Sequence, residues 1–298
     1  MLGLETPVER LQHMNQPAYE FYLNRNPGID LAADRLEIGV CAQHNNGGID
    51  VDLWWRSSIA GLFPVGEAAG AHGVARPGGA ALNSAQVGAT RAAQWIAARE
   101  QGAARADEGW QELAGDALQK ARSLLEAACG REESSGVLID DVLMESTRAM
   151  SDNAGLVRSR QGLEELARNV AEWRRRVVDE CVVDPTSRRS VDRLFLVRDI
   201  LDVQAVYVAA MLDHLDHGVG SRGSVLYTDP DGDLPVSWWN DGADLDVEEI
   251  FRHRLDSKAH HGVTQRVSVD AVGEAIHAHW GPVRPIPTED EFLENVWK

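Results

Sequence analysis

The sequence predicts a protein of mixed α/β and α+β class, in which a strand-rich segment leads into an antiparallel helical unit and then a mixed tail. Three observations carry this. Short apolar runs separated by glycines fill residues 36–67. Apolar residues recur at steps of three and four between Trp110 and Leu212, the period of a helix with one buried face. After residue 226, turn formers and short runs replace that period. A chain of 298 residues, 44% of them apolar, is long enough to bury a substantial core.

Residues 1–35 form a polar lead-in, where Pro7, Pro17 and Pro27 predict only short helical turns. Residues 36–103 begin with LEIGVCA, then GGIDVDL with alternating Ile49, Val51 and Leu53, then IAGLFPVGE; these read as strands, with Gly47-Gly48 and Gly61 as turn formers. An alanine-rich helix follows over 83–99. Within 104–225, Trp110, Leu113, Ala117, Ala121 and Leu124 mark one helix, and Leu163, Leu166, Val170, Trp173 and Val177 mark a second. A third follows Asp184-Pro185-Thr186, with Leu194, Val197, Leu201, Ala205, Val208 and Leu212 inward and a second apolar row at Leu196, Ile200 and Val203. Residues 226–298 are the mixed tail, opened by TDPDGD at 228–233, which reads as a turn cluster.

The formal charge of −18, from 29 basic and 47 acidic residues, repels phosphate backbones and anionic lipid. Nucleic acid and membrane surfaces are therefore poor candidates for partners. Cys41, Cys129 and Cys181 are widely spaced and form no CxxC pair, which points to reduced, buried thiols in a cytoplasmic compartment. No basic segment runs into an apolar one at the start, and nowhere are there ~18 consecutive apolar residues, so neither a secretion signal nor a membrane span is expected.

Chemistry concentrates in residues 61–98. A strand ending at Gly66-Glu67, a glycine-rich loop with His72 and Arg76, and a helix starting near Asn83 make a strand–loop–helix unit. The N–H groups of its helix N-terminus favour an anionic or electron-rich ligand atom. Glycines at 66, 70, 73, 78 and 79 allow a flat ligand close to the backbone. Glu67 is placed to accept from sugar hydroxyls, and Arg76 to pair with a carboxylate. On residue chemistry alone the signal is moderate, since such a block is often only a surface turn.

Three motifs here, QHNNGGIDVD, GLFPVGEAAG and HGVARPGGAAL, resemble in order and spacing those of the succinate dehydrogenase, fumarate reductase and L-aspartate oxidase flavoproteins. RAMSDNAGLVRS and SRGS at 221–224 extend the resemblance across about residues 38–225. It implies that 36–103 is the C-terminal segment of a Rossmann-like FAD-binding domain, followed by the family's helical C-terminal domain. It further implies that His44 and Arg76 bind a dicarboxylate substrate, and that Asn45, Glu67, Ala81 and Leu82 lie against FAD. Asn45 stands where the family has tyrosine, Pro77 where it has leucine, and Ala80-Ala81 where it has Asn-Ser, which removes side-chain hydrogen bonds but leaves the backbone ones.

The family's phosphate-binding GxGxxG and its capping-domain histidine and arginine find no counterpart in residues 1–36. The expectation is a part of a flavoprotein oxidoreductase that needs a separately encoded FAD-binding half, or else an inactive remnant acting as an interaction module. The one GxGxxG present, Gly218 to Gly223, follows a long helix and precedes a strand-like stretch, the reverse of a dinucleotide fingerprint, and reads as a helix stop. His214 and His217, His260-His261, and His277 with His279 lack a third ligand at metal spacing, so no metal site is expected. Trp54-Trp55 and Trp238-Trp239 read as packing residues, with stacking on a flavin as the alternative.

Overall fold

The structure, a computed structural model, describes residues 5–34, 44–73, 79–99, 109–132, 136–184, 186–223, 225–236, 246–270 and 275–283. The chain divides into two units, Met1–Asn45 and Asn46–Lys298.

The first unit contains helix α1, Pro7–Arg25, interrupted at Asn15. The lead-in thus holds more helix than its prolines predict, because Pro7 and Pro17 each begin a helical segment while Pro27 falls in the turn after Arg25. Pro7 follows the N-cap Thr6, whose hydroxyl accepts from the Glu9 N–H at 3.2 Å while the Glu9 carboxylate accepts from the Thr6 N–H at 2.9 Å. After the break, Asn15 Oδ1 accepts from the Ala18 N–H at 3.3 Å, so Pro17 falls in a first turn, where its missing N–H costs nothing.

The second unit opens with an irregular loop that the alternation of Ile49, Val51 and Leu53 predicts to be strand. One parallel bridge, Ile49 to Ala69, forms in its place. Asp52 is the cause: its Oδ1 accepts from the backbone N–H groups of Trp54 at 2.8 Å and Arg56 at 3.0 Å, turning the chain just where the ladder would continue. Trp55 completes that turn at φ 58°, and Gly61, at φ 79°, closes a second one in which Ser57 N–H donates to the Leu62 carbonyl at 3.0 Å. The expected strand over 36–42 lies outside the described residues.

Helix α2, Ala80–Arg99, matches the alanine-rich pattern. Beyond it come α3 (Trp110–Cys129), β1 (Val137–Leu138), α4 (Ile139–Ala154), β2 (Val157–Arg158), α5 (Arg160–Asp179), β3 (Cys181–Val182) and α6 (Arg188–Asp216). β1 pairs in parallel with β3. Leu163, Leu166, Val170, Trp173 and Val177, the five residues on the predicted face of α5, are all buried, as are Leu194, Val197, Leu201 and Val208 of α6. Burying a side chain of this size contributes about 1.5–3 kcal/mol, so this face outweighs helix propensity in holding α5 and α6 together. The second row of α6 stays outside the core, with Leu196 and Val203 about half exposed. The end of α3 packs on the core through Leu124, Leu125, Ala128 and Cys129, while Trp110 remains exposed.

The ends of these helices are satisfied by side chains. Ser159 and Ser187 cap α5 and α6. Arg158 Nε donates to the last carbonyls of α4, at 3.1 Å to Ala154 and 2.8 Å to Gly155, and Arg131 donates to the carbonyls of Val178 and Cys181, both at 2.8 Å. The tail contains β4 (Leu226–Asp233), paired in parallel with β2, and an antiparallel hairpin, β5 (Val263–Val269) with β6 (Ile276–Pro282). TDPDGD is therefore strand, not a turn cluster. It is held by bridges from Thr228 and Asp233 to His253, and Gly232 lies so close to His253 that a Cβ there would sit 2.5 Å from its carbonyl. Among the described residues no helix is long and apolar enough to cross a membrane.

Candidate functional site

The glycine-rich block is organised by two backbone segments lying against each other. Ile49 N–H donates to the Ala68 carbonyl at 2.9 Å, and Gly70 N–H donates to the Ile49 carbonyl at 2.8 Å. A Cβ on Gly48 would lie 2.6 Å from the Ala68 oxygen, so this approach requires glycine. A 3-10 turn, Gly66–Ala68, follows Val65 with Gly66 at φ 67°, and Gly66 faces the Ala85 side chain of α2. The turn thereby sets the exposed carboxyl-bearing residue Glu67 beside the N-terminal half of α2.

Helix α2 is seated by tryptophans. Trp55 crosses Gly88, where a Cβ would come within 2.5 Å of the indole nitrogen. Trp54 is buried and tilts against Trp95 with ring centroids 5.6 Å apart. Arg91 lies over Trp54 at 4.5 Å and Arg56 over Trp95 at 4.1 Å. Arg56 also pairs with Asp52 at 2.6 Å. Burial opposes ionisation of Asp52, but hydrogen bonds from Arg56 and Trp54 outweigh it and hold the carboxyl below the usual carboxylate range. Trp54 and Trp55 are thus packing residues; Trp238 and Trp239 lie outside the described residues.

Of the residues singled out by sequence, Glu67, Ala81 and Leu82 belong to the second unit, with Ala81 half-buried and Leu82 exposed in the first turn of α2. His44, half-buried, and Asn45, exposed, close the first unit. Arg76 lies outside the described residues. Sequence reasoning missed an open cleft of about 570 Å³ lined by residues 50–52 and 56–63, including Asp50, Asp52, Arg56 and Phe63, together with Arg266. Its signal was the Asp52-x-x-x-Arg56 spacing, which pairs across one turn; Arg266 is more than two hundred residues away and gave none.

The other histidines have structural places. Gly218, at φ 68°, ends α6, and His217 Nδ1 meets the last-turn carbonyl of Asp213 at 2.9 Å, so the Gly218–Gly223 stretch is a helix stop. Ser221, in the SRGS stretch, is buried and accepts from the Tyr227 N–H at 2.8 Å. No cluster of three or more metal-ligating side chains occurs among the described residues.

No protein-family model matches the chain. The CoM/CoB fumarate reductase of Methanothermobacter marburgensis has a subunit that is 39% identical over 66 residues, which are 22% of this chain and 12% of that protein. Among solved structures, an E. coli quinol fumarate reductase chain matches 95% of this chain and 44% of its own length with a TM-score of 0.68 and 19% identity. A quinol–fumarate reductase with menaquinol matches 94% of this chain and 44% of its own at a TM-score of 0.62 and 20% identity. The apo Mycobacterium smegmatis Sdh1 complex contains a chain matched over 98% of this one and 46% of that one, with a TM-score of 0.60 and 20% identity. The chain thus spans less than half the length of the proteins it matches. Its fold is that of the fumarate reductase and succinate dehydrogenase flavoprotein chains, and the resemblance carried by the three motifs is borne out at that level, consistent with a C-terminal part.

Proposed function

We propose that residues 44–99 are the flavin-facing part of an FAD-dependent oxidoreductase of the fumarate reductase and succinate dehydrogenase kind, moving hydride between flavin and a small carboxylate-bearing or polar substrate. The observation that carries this reading is the pairing of the 46–50 and 66–70 backbones, which fixes Glu67 beside α2. Such an arrangement fits a flavin. A carboxylate accepts from ribityl hydroxyls, and the N–H groups of Ala81 and Leu82, in the first turn of α2, have no partner within the helix and can donate to the electron-rich edge of the ring. Loss of the family's Asn-Ser side chains at Ala80-Ala81 leaves those backbone donors in place.

FAD would supply the hydride-accepting ring. This chain's residues would position and polarise the substrate: His44 and Arg76 grip its carboxylate, and the guanidinium offsets negative charge as it develops. The pyrophosphate would be held by a nucleotide-binding half contributed by further polypeptide, in keeping with a relative that is one subunit of its enzyme. A second reading, an inactive interaction module, is favoured by the exposure of Ile49, Ile59, Leu82 and Val87 in this same region.

Absorbance between about 350 and 500 nm, recorded after FAD is added and the unbound cofactor removed by gel filtration, separates the two. Retained flavin that is reduced severalfold by Glu67→Ala supports the flavoprotein reading. A colourless protein, alone and after mixing with a candidate nucleotide-binding half, supports the module.

A further inference from the structure

Hairpin β5–β6 connects two distant parts of the second unit. Gln265 and Trp280 sit directly opposite each other in its register, and both donate to Asp213 Oδ2 in the last turn of α6, at 2.6 and 2.8 Å. Gln265 also donates to the Ala210 carbonyl at 2.9 Å. Side chains alternate along a strand, so the next residue, Arg266, leaves by the opposite face. There it pairs with Asp50 at 3.0 Å, at the rim of the cleft and on the loop that leads to Glu67. One short hairpin is therefore tied both to the end of the helical unit and to the candidate site.

Three imidazoles surround the Trp280 anchor, with ring centroids 4.9 Å (His217), 6.1 Å (His260) and 6.5 Å (His214) away. Their surroundings differ. His217 has the Asp213 carboxylate at 3.4 Å, and His260 has the buried Asp256 carboxylate at 3.1 Å. His214 is stacked on Tyr227 at 4.8 Å, with Nε2 against the Gly220 carbonyl at 3.3 Å. The charged groups around it are Arg158 from β2, Arg222 and Asp256 from the loops, and Asp213 and His217 from α6 itself. Asp256 is already engaged by Arg222, His260 and His261.

We propose that the hairpin is a proton-controlled strap: neutral His214 lets it seat on α6, and acidification releases it together with the Arg266–Asp50 tie to the candidate site. Burial pushes the His214 imidazole below its ordinary value, with the Gly220 carbonyl opposing, Arg222 adding, Asp256 opposing and Arg158 adding. The sign follows. Trp280 of the hairpin lies 6.5 Å from the His214 ring, so lifting the strap returns water to that imidazole and lets it bind a proton more readily; seating is fully favoured above the ordinary imidazole value and is lost as pH falls below it. This does not depend on the flavin reading.

The test is hydrogen exchange on the full chain at about pH 7.5 and about pH 5.5, on either side of the ordinary imidazole value, with intrinsic rates removed. Protection of residues 263–269 and 276–282 should be lower at the acid pH, with about tenfold per pH unit as the ceiling for one proton, and residues 49–62 should follow. His214→Phe, which keeps a ring against Tyr227, should abolish the difference between the two pH values; His214→Gln serves if that variant does not fold. Arg266→Ala should leave the hairpin's pH response intact while uncoupling residues 49–62. Protection that is unchanged by acid, protection that rises with acid, or a pH response that survives substitution of His214 would each overturn the proposal.

Discussion

The helical unit built on α4, α5 and α6 and the glycine-rich region over 46–99 solve the problem of burial in opposite ways. In the first, each apolar face meets another within the chain: Val142 of α4, Leu163 and Leu166 of α5 and Leu194 and Leu201 of α6 are all closed off from solvent. Polar groups seal its margins, as where Arg174 pairs with Asp202 at 2.8 Å between α5 and α6 and Trp173 donates to Glu145 at 3.1 Å. The second region buries tryptophans against α2 yet leaves Leu82 74% and Ile59 64% exposed, and it depends on hydrogen-bonded turns and on backbone approach at Gly48. A self-sufficient core and a backbone-organised, ligand-scale surface thus coexist in one unit, and they should respond differently to the same kind of change.

The sharpest test is truncation in the core. Leu166→Ala should cost about 3 kcal/mol in urea unfolding, since the cavity lies among rigid neighbours. A loss below about 1 kcal/mol would mean that the helical unit repacks freely and that the contrast is false.

Next in size is thiol chemistry at the core's edge. Burial pushes the Cys181 thiol up to about 11 from its ordinary 9.0, which lowers its thiolate fraction about a hundredfold in mildly alkaline buffer. The half-buried Cys129 should react first with a thiol reagent, and Cys181 only at the rate of unfolding. Comparable rates for the two, followed by mass spectrometry of the labelled peptides, would show that this end of the core opens locally.

A smaller effect is expected in the glycine-rich region. Gly48→Ala would force a methyl group against the Ala68 carbonyl and should cost about 1–3 kcal/mol of local stability. The readout is faster exchange of the Ile49 and Gly70 amides with the helical unit's urea midpoint little moved. Smallest of all, Leu82→Ala should change stability by less than about 0.5 kcal/mol in the isolated chain. A larger loss would show that Leu82 is covered in solution.

Legibility in the sequence followed the range of the interactions. The faces of α5 and α6 were readable because a buried stripe repeats every few residues, and the helix stop at Gly218 because a left-handed residue after a helix calls for glycine. The three motifs that carry the flavoprotein resemblance were readable too, since glycine spacing records close backbone approach. The strands expected at 49–53 and over 59–67 were not, because the Asp52 side chain competes with a ladder in the first and the turn closed from Ser57 to Leu62 interrupts the second. Nor was β4, whose TDPDGD stretch has turn chemistry and becomes strand only because β2 and His253 lie alongside it.

The sequence by itself determined where α2, α3, α5 and α6 form, which faces of α5 and α6 are apolar and where glycines let two backbone segments meet, because each rests on a pattern a few residues long. Tertiary structure alone decided that Trp54 and Trp55 pack on α2, that Arg266 reaches Asp50, and that Gln265 and Trp280 share one carboxylate of α6. Those pairings join residues from tens to more than two hundred positions apart, and only the folded packing, which sets which surfaces must be buried together, selects them.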